Sequence, residues 1–228
     1  MPIRDGDDAL KPATEKGSTL ITLYTWKTPN GRKPAIMLEE IGLPYAVKAV
    51  DISADAQFDP AFLKLSPNNE IPAISDDDAE GGSQSLFESG AILTYLAQKS
   101  GKLLPASGRA HWATLEWLHW QIGGLGPMLG QLNFYAVRSN DKAPLAIERF
   151  TNEAKRLLGV MERRLAEVPY LAGSEYTIAD IAAYPWVTEA KAAIDAVLGD
   201  AFAGSPAIAG WLDWVGSRPA VQKGMRVL

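Results

Sequence analysis

Near residue 105 the spacing of apolar residues changes from mixed strand and helix periods to an almost purely helical one, which limits the chain to a two-part fold. Before the change, residues 20–25 alternate and are rich in β-formers, predicting a strand. Lys27-Thr-Pro-Asn-Gly31 reads as a turn cluster, and residues 35–41 as a helix stopped by Gly42 and Pro44. A strand pattern returns at 45–50, and residues 53–67 are irregular to helical. Residues 71–74 and 85–87 are short strands around the Asp76-Asp77-Asp78 and Gly81-Gly82 turn, and 89–99 is a helix. The order β-α-β-α-β-β-α predicts a compact α/β domain over 20–101. Beyond a linker at 103–108, helical periods at 109–122, 125–138, 144–167, 177–198 and 206–217 predict an all-α domain over 109–228. Prolines 127, 144, 169, 185, 206 and 219 fall mostly at the ends or bends of these helices.

Composition narrows the function classes. Lys and Arg number 22 against 27 Asp and Glu, a net charge of −5, and no basic run exceeds two residues. A nucleic-acid surface needs a basic stripe and an anionic membrane needs a basic face, so neither partner is expected. No apolar stretch reaches the length of a membrane span. Residues 1–19 are polar, lack the apolar stretch of a signal peptide, and read as a flexible extension. There is no cysteine, consistent with the cytoplasm; disulfides and a protein thiol nucleophile are excluded. With only His111 and His119 besides, no metal site is expected, and both histidines read as structural.

Four short motifs stand out. Thr177-Ile-Ala-Asp180 matches a capping box opening an apolar helix, with Tyr176 and Ile181 placed as a hydrophobic staple. Thr28-Pro-Asn-Gly31 follows the first strand, Asn68-Asn-Glu-Ile-Pro72 leads into another, and Glu88-Ser89-Gly90 opens a helix. Helix starts attract anions, so Ser89, read as an N-cap, marks a carboxylate site. Taken separately, these read equally as a turn, a strand-opening proline and an ordinary cap.

Taken in register, they resemble the glutathione transferase superfamily, a thioredoxin-like α/β N-terminal domain followed by an all-α C-terminal domain. More narrowly, Thr28-Pro-Asn-Gly31, Ser66-Pro-Asn-Asn69, Leu86-Phe-Glu-Ser-Gly-Ala-Ile92, Gly123-Gly-Leu-Gly-Pro-Met-Leu-Gly130 and Ala146-Ile-Glu-Arg149 are similar to the nu-class bacterial members. The resemblance implies glutathione as cosubstrate, a homodimer, and glutathione-dependent disulfide-bond reduction. It places the γ-glutamyl carboxylate on Ser89 and the ligand's ammonium near Glu88. The tripeptide backbone pairs with Ile71 ahead of a cis Ile71–Pro72 bond, and Gln57 and Arg149 make further glutathione contacts.

Thr28 and Asn30 are the expected catalytic residues, as donors to the glutathione sulfur. A free thiol has a pKa of about 8.5. One donor to a charged acceptor contributes about 1.5–3 kcal/mol and a helix N-terminus about 0.3–1 kcal/mol, together enough to lower the thiol by about 1.5–3 units. Tyr24 is the rival donor, at a position that otherwise reads as packing. Trp26 and Tyr135 are candidates for a second-substrate wall. Glu70 departs from the related pattern, because an acid near the glycine carboxylate repels it unless Glu70 points away or pairs with Arg32 or Lys33. Transfer of glutathione to aromatic ethers or other electrophiles, and a non-catalytic binding module, remain the alternatives.

Overall fold

The computed structural model describes residues 21–199 and 201–228; the extension expected at 1–19 lies outside them. Four strands, β1 (Ile21–Thr25), β2 (Tyr45–Ala49), β3 (Ala73–Asp76) and β4 (Gln84–Phe87), form one mixed sheet in the order β2-β1-β3-β4. β1 runs parallel to β2 and antiparallel to β3, which pairs antiparallel with β4. Alternation along β1 sends Ile21 and Leu23 into the main core, while Tyr24 turns to a smaller cluster of Val50, Phe62, Ile71 and Ala73.

Helices α1 (Pro29–Ile41) and α3 (Ser89–Ser100) cover the main-core face, and the short α2 (Pro60–Leu63) supplies Phe62 to the other. α1 starts six residues earlier than its periodicity indicates. The cluster read as a turn is its cap and first turn, with Thr28 as N-cap and Pro29 at a position where a missing N–H costs nothing. Gly31 is required there, because a Cβ would sit 2.2 Å from the Trp26 carbonyl oxygen.

The remaining helices are α4 (Gly108–Trp120), α5 (Gly126–Asn133), α6 (Pro144–Glu167), α7 (Ile178–Ala193), α8 (Pro206–Gly216) and α9 (Pro219–Gly224). α4 and α5 are one helical path rather than two separate helices. It passes through wider π-turns at Gln121–Leu125 and Phe134–Arg138 without leaving right-handed helical dihedrals between them. Pro127 withholds the N–H that would bond the Gly123 carbonyl, which accounts for the irregularity as a distortion of a continuous helix. α9 is an addition to the periodic reading. It packs on α1, with Arg218 forked onto Glu40 at 2.7 and 2.9 Å and lying 4.0 Å over the Tyr176 ring. The main core is continuous from the sheet through α1 and α3 into the helical layer.

Residues Ile178 to Ala183, the first part of α7, are all buried. Its capping box forms as expected, with the Thr177 hydroxyl accepting from the Ala179 N–H and Tyr176 and Ile181 both buried. The Asp180 carboxylate, fully buried, does more than cap: it accepts from the Thr177 N–H (3.1 Å), the Leu171 N–H (3.0 Å) and the Trp211 indole (2.9 Å). Burial raises its pKa while these donors act in the opposite direction. Asp180→Ala strands three buried donors and should cost about 3–5 kcal/mol in denaturant unfolding. An unchanged midpoint would show that α7 is held by packing alone.

Candidate functional site

The β1–α1 junction supplies the first side chains. The Thr28 hydroxyl oxygen accepts from the Gly31 N–H at 3.1 Å, which caps α1 and leaves the hydroxyl hydrogen free to donate. Because Pro29 has no N–H and that of Gly31 is capped, Asn30 offers the remaining free backbone donor of this first turn. The Asn30 carboxamide oxygen accepts from the Trp186 indole at 2.9 Å, so its NH2 group is the part left for a ligand.

A second helix start faces the same space. Glu88, not Ser89, holds the N-cap position of α3, with φ +69°, a conformation costly for a residue with a Cβ. Ser89 is therefore the first helical residue, nearly buried, with the free N–H groups of the first turn beside it. Ile71–Pro72 is cis, as the resemblance implies. Pairing in β3 begins at Ala73, and among the described residues neither backbone polar group of Ile71 has a partner.

These residues meet. Asn30, Ile71, Pro72, Glu88 and Ser89 line a cavity of about 210 Å³. It adjoins one of about 460 Å³ walled by Gln121, Phe134, Arg138 and Trp186 of the helical layer, and one of about 340 Å³ that includes Thr28. Asn30 and Glu70 border all three. Glu70 is exposed and takes neither basic partner expected for it: Lys33 is committed elsewhere and Arg32 approaches Glu189 at 3.9 Å.

Lys33 is the residue that periodicity could not single out. It is 1% exposed, and its ammonium donates to the Gln121 carboxamide oxygen at 2.7 Å and to the Ser89 hydroxyl oxygen at 3.3 Å. One side chain thus ties α1 to the start of α3 and to the π-turn. Burial pulls its pKa down to about 7, against an upward pull from Glu88.

Five expected residues stand apart from this cleft. Tyr24 packs against Phe62 with Lys48 over its ring, and Trp26 joins the same small cluster beneath Lys27. Tyr135 stacks on Phe150 at 5.8 Å, and its neighbour Phe134 joins Trp186 on the cleft wall. Gln57 lies in the turn Ala56–Phe58, where its buried carbonyl oxygen has no partner. Arg149 lines a separate groove of about 700 Å³ on α6. Among the described residues there is no cluster of three or more metal-ligating side chains, and no helix is long and apolar enough to cross a membrane.

The depressed Lys33 pKa has a definite signature. Between the unfolded value of 10.5 and the folded value of about 7, the unfolded chain binds a proton that the folded chain does not, so folding weakens as pH falls through this window. Ligand-free Lys33→Met should gain stability relative to the parent from about pH 10 to about pH 7 and hold that difference below. Thermal unfolding of both across this range is the check; a constant difference throughout would mean that Lys33 is charged at every pH.

Comparison with known proteins agrees with this architecture. The family model "Glutathione S-transferase, N-terminal domain" matches residues 19–98, and "Glutathione S-transferase, C-terminal domain" matches 144–213. The disulfide-bond oxidoreductase YfcG of Escherichia coli K12 is 47% identical over 204 residues, covering 88% of this chain and 92% of its own. YghU, a second disulfide-bond oxidoreductase of that organism, is 39% identical over 225 residues, covering 91% and 75%. A Pseudomonas putida glutathione transferase with one glutathione disulfide bound per subunit superposes with a TM-score of 0.88 at 42% identity over 94% of both chains. A Burkholderia graminis transferase with two glutathione molecules per subunit gives 0.87 at 40% identity, covering 91% and 88%. With both family models in register along a chain whose cleft is built from the starts of α1 and α3, this protein is a member of the glutathione transferase family.

Proposed function

We propose that the protein is a glutathione-dependent disulfide reductase whose reacting sulfurs all come from its ligands. The observation that carries this reading is the convergence of Thr28, Asn30, Ile71 and Ser89 on one connected cleft in a chain without cysteine. The names and bound ligands of the relatives support it: two are disulfide-bond oxidoreductases, and two solved relatives hold glutathione disulfide or two glutathione molecules.

The γ-glutamyl carboxylate sits on the first-turn N–H groups of α3 and the Ser89 hydroxyl, with Glu88 beside the ligand's ammonium. The tripeptide backbone pairs with the unpartnered groups of Ile71. Its sulfur then lies at the start of α1, where Thr28 and Asn30 donate to it and favour the thiolate. That thiolate attacks one sulfur of a substrate disulfide, forming a mixed disulfide and releasing the other sulfur as a thiolate that takes a proton. A second glutathione thiolate attacks the glutathione sulfur of the mixed disulfide, giving glutathione disulfide and the second substrate thiol. Two glutathiones are oxidised and one disulfide is reduced. The cavity of about 460 Å³ walled by Phe134 and Arg138 accommodates the second sulfur's carrier. Gln57 is assigned a glutathione contact, and Arg149, outside the cleft of its own chain, a contact with a glutathione carboxylate completed in a symmetric homodimer.

Turnover of hydroxyethyl disulfide with glutathione, compared with conjugation of a chlorinated aromatic, tests the reading. Disulfide turnover should dominate, and fall further in kcat than in binding for Asn30→Ala. Ser89→Ala should weaken glutathione binding by about 1–3 kcal/mol in calorimetry. Conjugation without disulfide reduction would replace the reading by a transferase, and absence of glutathione binding by a non-catalytic module. Glu70 borders the cleft without a cationic partner, so Glu70→Gln should tighten glutathione by about 0.2–1 kcal/mol. Weaker binding would assign Glu70 to the ligand's ammonium instead.

A further inference from the structure

The Gly123–Gly130 motif and the second half of α7 have no part in the chemistry described so far, yet they meet at one contact. Gly126 and Gly130, one helical turn apart on α5, form a notch that receives the Trp186 indole: a Cβ on either would come within 3.2 Å of the ring. From that seat the indole N–H reaches across to the Asn30 carboxamide oxygen at 2.9 Å.

We propose that Trp186 is the positioning residue for Asn30, fixing which end of its carboxamide faces the ligand sulfur. An indole nitrogen is a donor only, so the atom it meets must be the oxygen, and the NH2 group is turned into the cleft. The opposite amide orientation sets donor against donor at Trp186 and a carbonyl oxygen against the sulfur. Asn30 Nδ2 has no partner among the described residues, and Asn30 borders all three cavities of the cleft. The helical layer thereby acts on sulfur chemistry without touching the sulfur. This rests on the reading that Asn30 donates to the glutathione thiolate.

The test is the ionisation of bound glutathione, followed by thiolate ultraviolet absorbance against pH in the parent and four variants. Asn30→Ala removes the donor and should raise the bound thiol's pKa by about 1–2 units. Trp186→Phe keeps the packing but frees the amide to turn, and should raise it by about half a unit to one unit. Added to Asn30→Ala, Trp186→Phe should produce no further shift. Asn30→Asp is isosteric, keeps the acceptor for Trp186 and replaces NH2 with a charged oxygen, so it should raise the pKa at least as far as Asn30→Ala. Lys27, Lys33, Glu70, Glu88, Arg138 and Glu189, the charged groups lining these cavities, are common to the parent and all four variants. Glutathione affinity at acid pH, where the thiol is protonated in every variant, should stay within about twofold of the parent for Trp186→Phe.

Failure of Asn30→Ala to move the pKa would sink the reading of Asn30 as a donor. A shift in Asn30→Ala with none in Trp186→Phe would sink the role of Trp186 alone. If Trp186→Phe does not fold, Asn30→Asp still decides: a pKa equal to the parent's would mean that the NH2 group does not face the sulfur, which overturns the proposal.

Discussion

The buried carboxylate of Asp180 is the constraint on which the cleft depends. A charged group without solvent is tolerable only when donors surround it, and Asp180 draws them from the chain before α7, from the first turn of α7 itself and from Trp211 on α8. That fixes where α7 begins and the direction in which it enters the core. α7 then packs against α1, α3, α4, α5 and α8, so its orientation sets the distance between the sheet layer and the helical layer. Trp186 stands six residues beyond Asp180 on this helix and crosses to Asn30, so one helix connects the capping box to the cleft.

The cleft is electrostatically favourable to an anion before any side chain is counted. Two helices, α1 and α3, start in it, and the first-turn N–H groups of each have no partner within the helix. Lys33 reinforces this from beneath, since its ammonium donates to both Ser89 and Gln121. Lys33 is itself buried, so little water reaches that layer. Glu88 opposes Lys33 in charge and occupies a left-handed conformation that a glycine would hold without strain. Keeping a carboxylate there at that cost fits a site that recognises a zwitterionic γ-glutamyl group, with its anion and cation side by side.

Periodicity and punctuation made the two-layer plan legible, because alternation and helical spacing are local properties of the chain. The capping box was legible for the same reason. The start of α1 differs from the periodic reading because Pro29 and Pro34 both look like breakers; Pro29, the first helical residue, removes a donor that has no helical use, whereas Pro34 lies inside the helix, which continues past it. Ser89 was read as the cap because its residue type suits one; the β4–α3 turn instead puts Glu88 there. Lys33 and Trp186 were out of reach for a different reason. Their roles come from burial and from partners 88 and 156 residues away, and a lysine or tryptophan on a helix carries no local mark of either. The glycine motif was visible, but the ring that it seats was not.

The relative size of two effects shows why this positioning matters. Lowering a thiol from about 8.5 to about 7 raises its thiolate fraction at pH 7 from roughly 3% to about half, about sixteenfold. The same change makes the sulfur a poorer nucleophile, by about fivefold for a Brønsted slope of 0.4–0.5, so acidity alone accelerates exchange only about threefold. Holding two sulfurs in line can contribute effective molarities many orders of magnitude larger. In the proposed function a cysteine-free protein obtains that alignment from both ends of its ligand, with Ser89 and Ile71 assigned to the tripeptide and a directed donor at Asn30 assigned to the sulfur. A freely turning carboxamide could still stabilise charge, but it could not define where the sulfur sits. Under that proposal the path from Asp180 along α7 to the indole contributes more by placing the sulfur than by ionising it.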